Sequence, residues 1–167
     1  MLRITKNSKF IVLLITFLIV TSCDNKRVFD EYTNISNNNW RIDTPVLFQF
    51  EVQDTIAKRN LFINLRNNNN YAFSNLFLIT KMSFPDGQKI IDTLEYDMAD
   101  KTGRFLGKGF TEVKENKLFY KENIRFPKKG KYEVEISHAM RKNGEVEGVD
   151  ALQGISDIGF RIEKIKK

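Results

Sequence analysis

Three groups of residues in this chain have the types that chemistry needs. The first is the only cysteine, Cys23. A thiolate attacks electrophiles, binds metal or pairs as a disulfide, and a lone thiol can also carry a covalent lipid. The second is the run DTLEYDMADKTG, with carboxylates at Asp92, Glu95, Asp97 and Asp100. Acids this close can hold Ca²⁺, which takes six to eight oxygens, or serve as the acid pair of a glycosidase. The third is His138, the sole histidine.

The carboxylates have a plainer reading. Their spacing departs from the EF-hand loop, whose first ligands fall at alternate positions. It reads as a strand ending in an Asp-rich turn, capped by its own backbone and closed by Gly103. Asp92 stands apart, because it shares the Ile90–Leu94 face expected to point inward. A buried charge needs a partner, so a structural ion pair with Arg66, Arg104 or Arg141 is expected. His138 lacks a second histidine, so a zinc site would need carboxylates for its other ligands. No Gly-x-Ser-x-Gly element occurs either. His138 is expected at a strand end. No catalytic residue, metal or cofactor is expected.

Cys23 sits directly after the longest apolar run. Residues 1–9 carry Arg3, Lys6 and Lys9 and no acid, and residues 10–20 are apolar apart from Thr16. A bilayer span needs about 20 apolar residues, so this run is too short. A basic start, a short apolar core and small residues after it form the layout of a signal peptide, here residues 1–22. Val20-Thr21-Ser22-Cys23 resembles the bacterial lipobox. That resemblance implies a diacylglycerol on the Cys23 sulfur, cleavage before Cys23 and acylation of the new amine. One acyl chain holds only marginally, so lasting attachment takes two or more. With Cys23 capped, no thiol remains for a disulfide, a metal or catalysis.

The signal cations account for part of the net charge of +6; without them the balance falls to +3. A mild, dispersed excess does not mark a nucleic-acid binder, which needs a basic patch. Residues 23–39 are polar and end in three asparagines. They are expected to be a lipidated tether, reaching about 50 Å when fully extended. The folded domain is expected to start at Trp40 and run to residue 167.

The elements that position these groups read as strands. Val46, Phe48, Phe50 and Val52 alternate with Leu47, Gln49 and Glu51, and Leu61, Ile63 and Leu65 with Phe62, Asn64 and Arg66. Tyr132, Val134 and Ile136, then Ile158, Phe160 and Ile162, repeat the pattern. A period of two puts one side-chain set on one face of a half-buried strand. Residues 75–82 are apolar on both faces, as a central strand would be. Residues 90–96 and 118–126 complete the set. Phe84-Pro85-Asp86-Gly87, Phe126-Pro127-Lys128-Lys129-Gly130 and Asn143-Gly144 supply turn chemistry. The expectation is all-β: one antiparallel β-sandwich, with a barrel as the alternative closure.

Four collinear blocks carry a resemblance: NLFINLRNNNNYAFSNLFL (60–78), DTLEYDMADKTGRFLGKG (92–109), RFPKKGKYEVEISHAMR (125–141) and GISDIGFRIEK (154–164). With the lipobox they resemble the gliding-motility lipoproteins of the GldH family of Bacteroidetes, from about Phe29 to Lys164. The resemblance implies a non-enzymatic envelope lipoprotein required for gliding and linked to type IX secretion. It carries no established catalytic residues. The implied partners are the membrane, through the lipid on Cys23, and other gliding or secretion proteins. No nucleic acid or small-molecule substrate is expected. No run of acids follows Cys23, so the periplasmic face of the outer membrane is favoured over the inner membrane or the cell surface.

Two segments offer partner-binding side chains. Arg104, Phe105, Leu106 and Lys108 lie in a glycine-bearing loop, and interfaces favour aromatics and arginine. The same loop could instead fold Phe105 and Leu106 onto the sandwich edge. Met140 and Arg141, before the long 142–153 loop, form the second segment. The basic tail, Arg161, Lys164, Lys166 and Lys167, reads as a solvated strand end that could touch anionic lipid. A carbohydrate-binding module is the alternative. It requires Trp40, Tyr71, Tyr96 and Tyr120 to be exposed together.

Overall fold

A computed structural model describes residues 24–109 and 112–165. The expected signal peptide and Cys23 lie outside the described residues. Ten strands follow in order: β1 (Arg27–Asn34), β2 (Asn39–Arg41), β3 (Val46–Val52), β4 (Arg59–Asn67), β5 (Asn75–Ser83), β6 (Lys89–Asp97), β7 (Lys114–Ile124), β8 (Gly130–His138), β9 (Ala151–Gln153) and β10 (Ile155–Lys164). One sheet has the order β1-β10-β4-β7, the other β3-β8-β5-β6, and β2 pairs with β9 in a short ribbon. All pairings are antiparallel. The two four-stranded sheets share no ladder, so they form a sandwich rather than a barrel.

The alternating apolar residues meet between the sheets. Phe160 of β10 faces Phe48 and Phe50 of β3 at ring-centre distances of 6.0 and 5.7 Å. Tyr132 of β8 stacks on Phe50 at 5.7 Å, and Phe126 meets both rings edge-on. Burying one such side chain stabilises the fold by about 1.5–3 kcal/mol, and offset or edge-on ring pairs add about 0.5–1.5 kcal/mol.

Two expectations change. The 23–39 segment is no tether from residue 27 onward. β1 pairs with β10 from Arg27 opposite Glu163 to Asn34 opposite Asp157, and a 3₁₀ turn at Ser36–Asn38 leads into β2. Only Phe29 of β1 turns inward to pack, 5.5 Å from Phe50. Apart from the exposed Val28, the rest of β1 is polar because it is an edge strand, and polar side chains blunt an edge against unwanted pairing. β5 is central in its sheet, as expected, but it is buried on one face only, and Ile79 stays 38% exposed. β4 is the strand buried on both faces. Its outward Phe62 is covered by Phe119 at 4.5 Å and by the Lys117 ammonium over its ring.

The strand directions define two ends. One carries the start of β1, the 53–58 and 125–129 loops, the 84–88 turn and the end of β10. Lys128 pairs there with Asp86, and Gly130 lies against Pro85. Because the expected lipid-bearing Cys23 precedes Asp24, we call it the anchor end. The distal end carries the β2–β9 ribbon and the 68–74, 98–109 and 139–150 segments. Ser74 O accepts from Met98 N at 2.7 Å and Asn68 N donates to Gly154 O at 2.8 Å, tying those segments together.

Candidate functional site

The Asp-rich segment ends β6 and turns into the distal loop. Asp100 Oδ1 accepts from Thr102 N (2.9 Å), Thr102 Oγ1 (2.6 Å) and Arg104 N (3.1 Å), while Gly103 N donates to Asp100 O (2.9 Å). Gly103 has φ +81°, which a glycine adopts at no steric cost. The Thr102 hydroxyl first, then the Arg104 amide, hold the Asp100 carboxyl down to about 2. Asp100 therefore works as the turn's own cap. Among the described residues, no group of three or more His, Cys, Asp or Glu gathers as metal ligands would.

Asp92 is ion-paired, but not with an arginine. Lys121 Nζ lies 2.8 Å from Asp92 Oδ2, and the Tyr120 hydroxyl donates to the same oxygen at 2.9 Å. Arg66 is on the outer sheet face over the Tyr32 ring, Arg104 pairs with Asp100, and Arg141 lies in the distal loops. Asp92 instead faces the seam between edge strands β6 and β7. Tyr96 closes the same seam, its hydroxyl donating to Phe119 O at 2.5 Å. Burial pushes its phenol up to about 12.

The 104–109 loop divides between its two readings. Backbone bonds fasten it twice: Leu106 N to Met98 O at 2.9 Å, and Lys108 with Glu115 in both directions at 2.8 Å. Gly107 is pressed onto β7, where an added Cβ would come within 2.7 Å of Asn116 Oδ1. Phe105 folds back against the core beside Tyr71. Leu106 points out, 54% exposed, and the Arg104 side chain is 83% exposed. Arg104, Leu106 and Lys108 are thus accessible, while Phe105 is not.

Met140 is buried, contrary to the expectation of an accessible interface residue. Its sulfur accepts from Phe77 N at 3.1 Å, and its carbonyl takes Val149 N at 2.8 Å. An apolar thioether after the last strand residue fills the distal core, which the sequence pattern alone does not separate from an exposed anchor. Arg141 is exposed. It borders an open groove of about 650 Å³ between residues 72–77 and 139–144. Segment 72–75 touches this groove on one side and the Met98–Ala99 backbone on the other. The structure therefore brings both candidate segments to the distal end.

The remaining expectations fall as follows. His138 ends β8, buried edge-on to Trp40 at 5.3 Å, and burial lowers its pKa, keeping the ring neutral. Trp40, Tyr71 and Tyr120 are buried and Tyr96 is half-buried, so the four aromatics of a sugar platform are not exposed together. Arg161 is no solvated tail residue: it joins Asp24, Asp30 and Glu163, and Glu163 also takes Lys117 at 2.7 Å. Sequence reasoning missed this cluster and Lys121. The signal for Arg161 was its outward place in the Ile158–Phe160–Ile162 alternation, opposite acids on a strand mistaken for a tether.

A family model for GldH lipoproteins matches residues 27–162, from the first strand into the last. The chain belongs to the GldH lipoprotein family. It is 53% identical over 153 residues to a GldH homolog from Christiangramia forsetii, covering 92% of this chain and 93% of the relative. It is 51% identical over 153 residues to the gliding motility lipoprotein GldH of Flavobacterium johnsoniae, covering 92% and 94%. Among solved structures, the infectious bursal disease virus VP2 subviral particle gives a TM-score of 0.40 at 13% identity, over 84% of this chain and 33% of that one.

Proposed function

We propose that this GldH-family chain is a lipid-anchored, non-enzymatic accessory or assembly subunit of the gliding machinery, linked to type IX secretion. It is tethered through Cys23 at the periplasmic face of the outer membrane and works by contact with other envelope proteins. The supporting observation is the family match, which runs through the whole folded domain. The carboxylates that could have signalled catalysis are consistent with this reading. Asp100 caps its own turn and Asp92 seals a seam, so each already has a structural partner.

The test is complementation in cells that lack the native protein. Wild-type chain restores gliding, and Cys23→Ala, which takes up no labelled palmitate, does not. Arg104→Ala with Leu106→Ala leaves a lipidated, normally abundant protein that fails to restore movement. Asp97→Asn, a single conservative carboxylate change, leaves gliding intact. Loss of gliding with Asp97→Asn at unchanged protein level, beside normal gliding with the loop variant, overturns the reading in favour of an enzyme or metal site.

A further inference from the structure

The anchor end has a charge pattern that the distal end lacks. Lys26, Lys58, Lys89, Arg125, Lys129 and Lys164 come from five separate segments, all at this end and all exposed. None of the six enters an ion pair among the described residues. The acids of the same loops are spoken for: Asp24 by Arg161, Asp54 by Arg59 and Asp86 by Lys128. Glu51, which accepts from Gln53, and Glu122 stand at the strand ends. The free charge of this end is therefore positive.

An apolar tip stands exposed at the same end. Ile56 is 80% exposed. Its position is built rather than loose, because Asp54 Oδ1 accepts from Ile56 N at 2.9 Å and Ala57 N at 3.0 Å. That bonding turns the loop and pushes Ile56 outward beside Lys58.

The chain leaves the domain at this same end. Asp24 is held to Arg161, and its carboxylate accepts from Lys26 N at 3.2 Å. Cys23 is one residue earlier, about 3.8 Å away between Cα atoms. With β1 in the sheet, no polar tether remains to lift the domain off its anchor. We infer that the anchor end is a docking face for the anionic phospholipid headgroups of the bilayer that holds Cys23. The inference rests on the lipidation proposed above. A lipid on Cys23 turns this end toward the headgroups, where a cation within a Debye length of the surface, about 8 Å at physiological salt, feels its charge. Each lysine or arginine near an anionic surface then strengthens binding about five-fold, and Ile56 enters the headgroup layer as an apolar wedge. The domain sits with its strands raised from the membrane and its distal loops furthest from it.

The experiment uses the full chain, purified from cells that process it and reconstituted in vesicles of phosphatidylcholine with phosphatidylglycerol. Mass spectrometry of the N-terminal peptide reads the lipid on Cys23 independently. A polarity-sensitive dye is placed on Ile56→Cys or Val146→Cys, and quenching by a spin-labelled lipid is measured. The expected result is strong quenching at position 56 and none at 146. Raised salt, omission of phosphatidylglycerol, or Lys58→Gln with Arg125→Gln and Lys129→Gln should each abolish it. Equal quenching at both positions, quenching at 146 alone, or indifference to salt and charge overturns the docking. If the peptide carries no lipid, the anchor reading fails and the docking is decided by sedimentation. The protein should then pellet with phosphatidylglycerol vesicles, and the triple variant should bind about a hundred-fold more weakly. Equal pelleting of both overturns it. The three side chains are exposed, and circular dichroism confirms the variant's fold.

Discussion

The two ends of this sandwich are built from the same strands and differ in what their loops do. At the anchor end the connections are short, the loop acids are paired, and unpaired exposed cations share the end with an exposed apolar tip. At the distal end the connections after β6 and β8 are long, and with the turn after β2 they carry both signs, in Arg41–Asp43, Arg104–Asp100 and Lys142–Glu145 pairs beside Glu147 and Asp150. Leu106 and Val146 are exposed there, and an open groove borders Arg141. One end suits a uniform anionic surface, and the other suits a specific protein surface. The lipid proposed on Cys23 would be enough to give such a division, because it would fix which end meets the bilayer.

The largest way to break the comparison is through the core that both ends share. Phe50→Ala removes the ring between Phe126, Tyr132 and Phe160 and should cost about 3–5 kcal/mol by urea unfolding. Met140→Ala should cost about 2–4 kcal/mol and Arg141→Ala less than about 0.5, separating the buried from the exposed member of that pair. If Arg141→Ala cost as much as Met140→Ala, the distal end would be packed differently from this description.

Arg161→Leu strips the anchor end of the cation that joins β1 to β10. Removing one member of a buried ionic cluster costs about 3–5 kcal/mol; with some solvent access, about 2–3 is expected here. It should also change the acid limb of stability. Burial pushes the Glu163 carboxyl up, but bonds from Lys117 and Arg161 overcome this and leave its pKa below the usual value. A depressed folded pKa gives stability that is present above the unfolded value of about 4.3 and is lost as pH falls through the folded one. The variant should show a flatter fall in stability below pH about 4.3 than wild type, in unfolding series taken at stepped pH. An unchanged slope would mean that Glu163 takes its stabilisation from elsewhere.

The smallest effect sharpens the distal end. Asp100 should titrate at about 2 in carboxyl-carbon NMR, below the ordinary aspartate value of about 3.9. Thr102→Val, which removes the hydroxyl donor that lowers it most, should raise it while leaving the fold intact. A normal Asp100 pKa would mean that the turn is not capped as described.

The sequence carried the sandwich because its core strands alternate cleanly, as from Tyr132 to Ile136, and an alternation specifies both the strand and its inward face. It also carried the Asp100 turn, since local side-chain–backbone bonding depends on neighbours a few residues apart. It missed β1, whose only packed apolar residue is Phe29, because a polar edge strand and a linker have the same composition. It assigned Asp92 the wrong partner for the same kind of reason. Lys121 reaches it across the seam between sheets, and such a contact depends on strand order, which periodicity does not encode. Arg104 and Leu106 remained interface candidates on the sequence and stay exposed in the fold. Phe105, between them, turns inward because alternate residues of a paired segment face opposite ways.

With the anchor end facing lipid and the distal end facing protein, the two ends should give different products on photo-crosslinking in living cells. A photoreactive residue is placed at Ile56 or at Leu106 in gliding-competent cells, and the products are separated by size. Leu106 should give a discrete adduct with an envelope protein, and Ile56 should give lipid adducts alone. A discrete protein adduct at Ile56 with none at Leu106 would contradict the account.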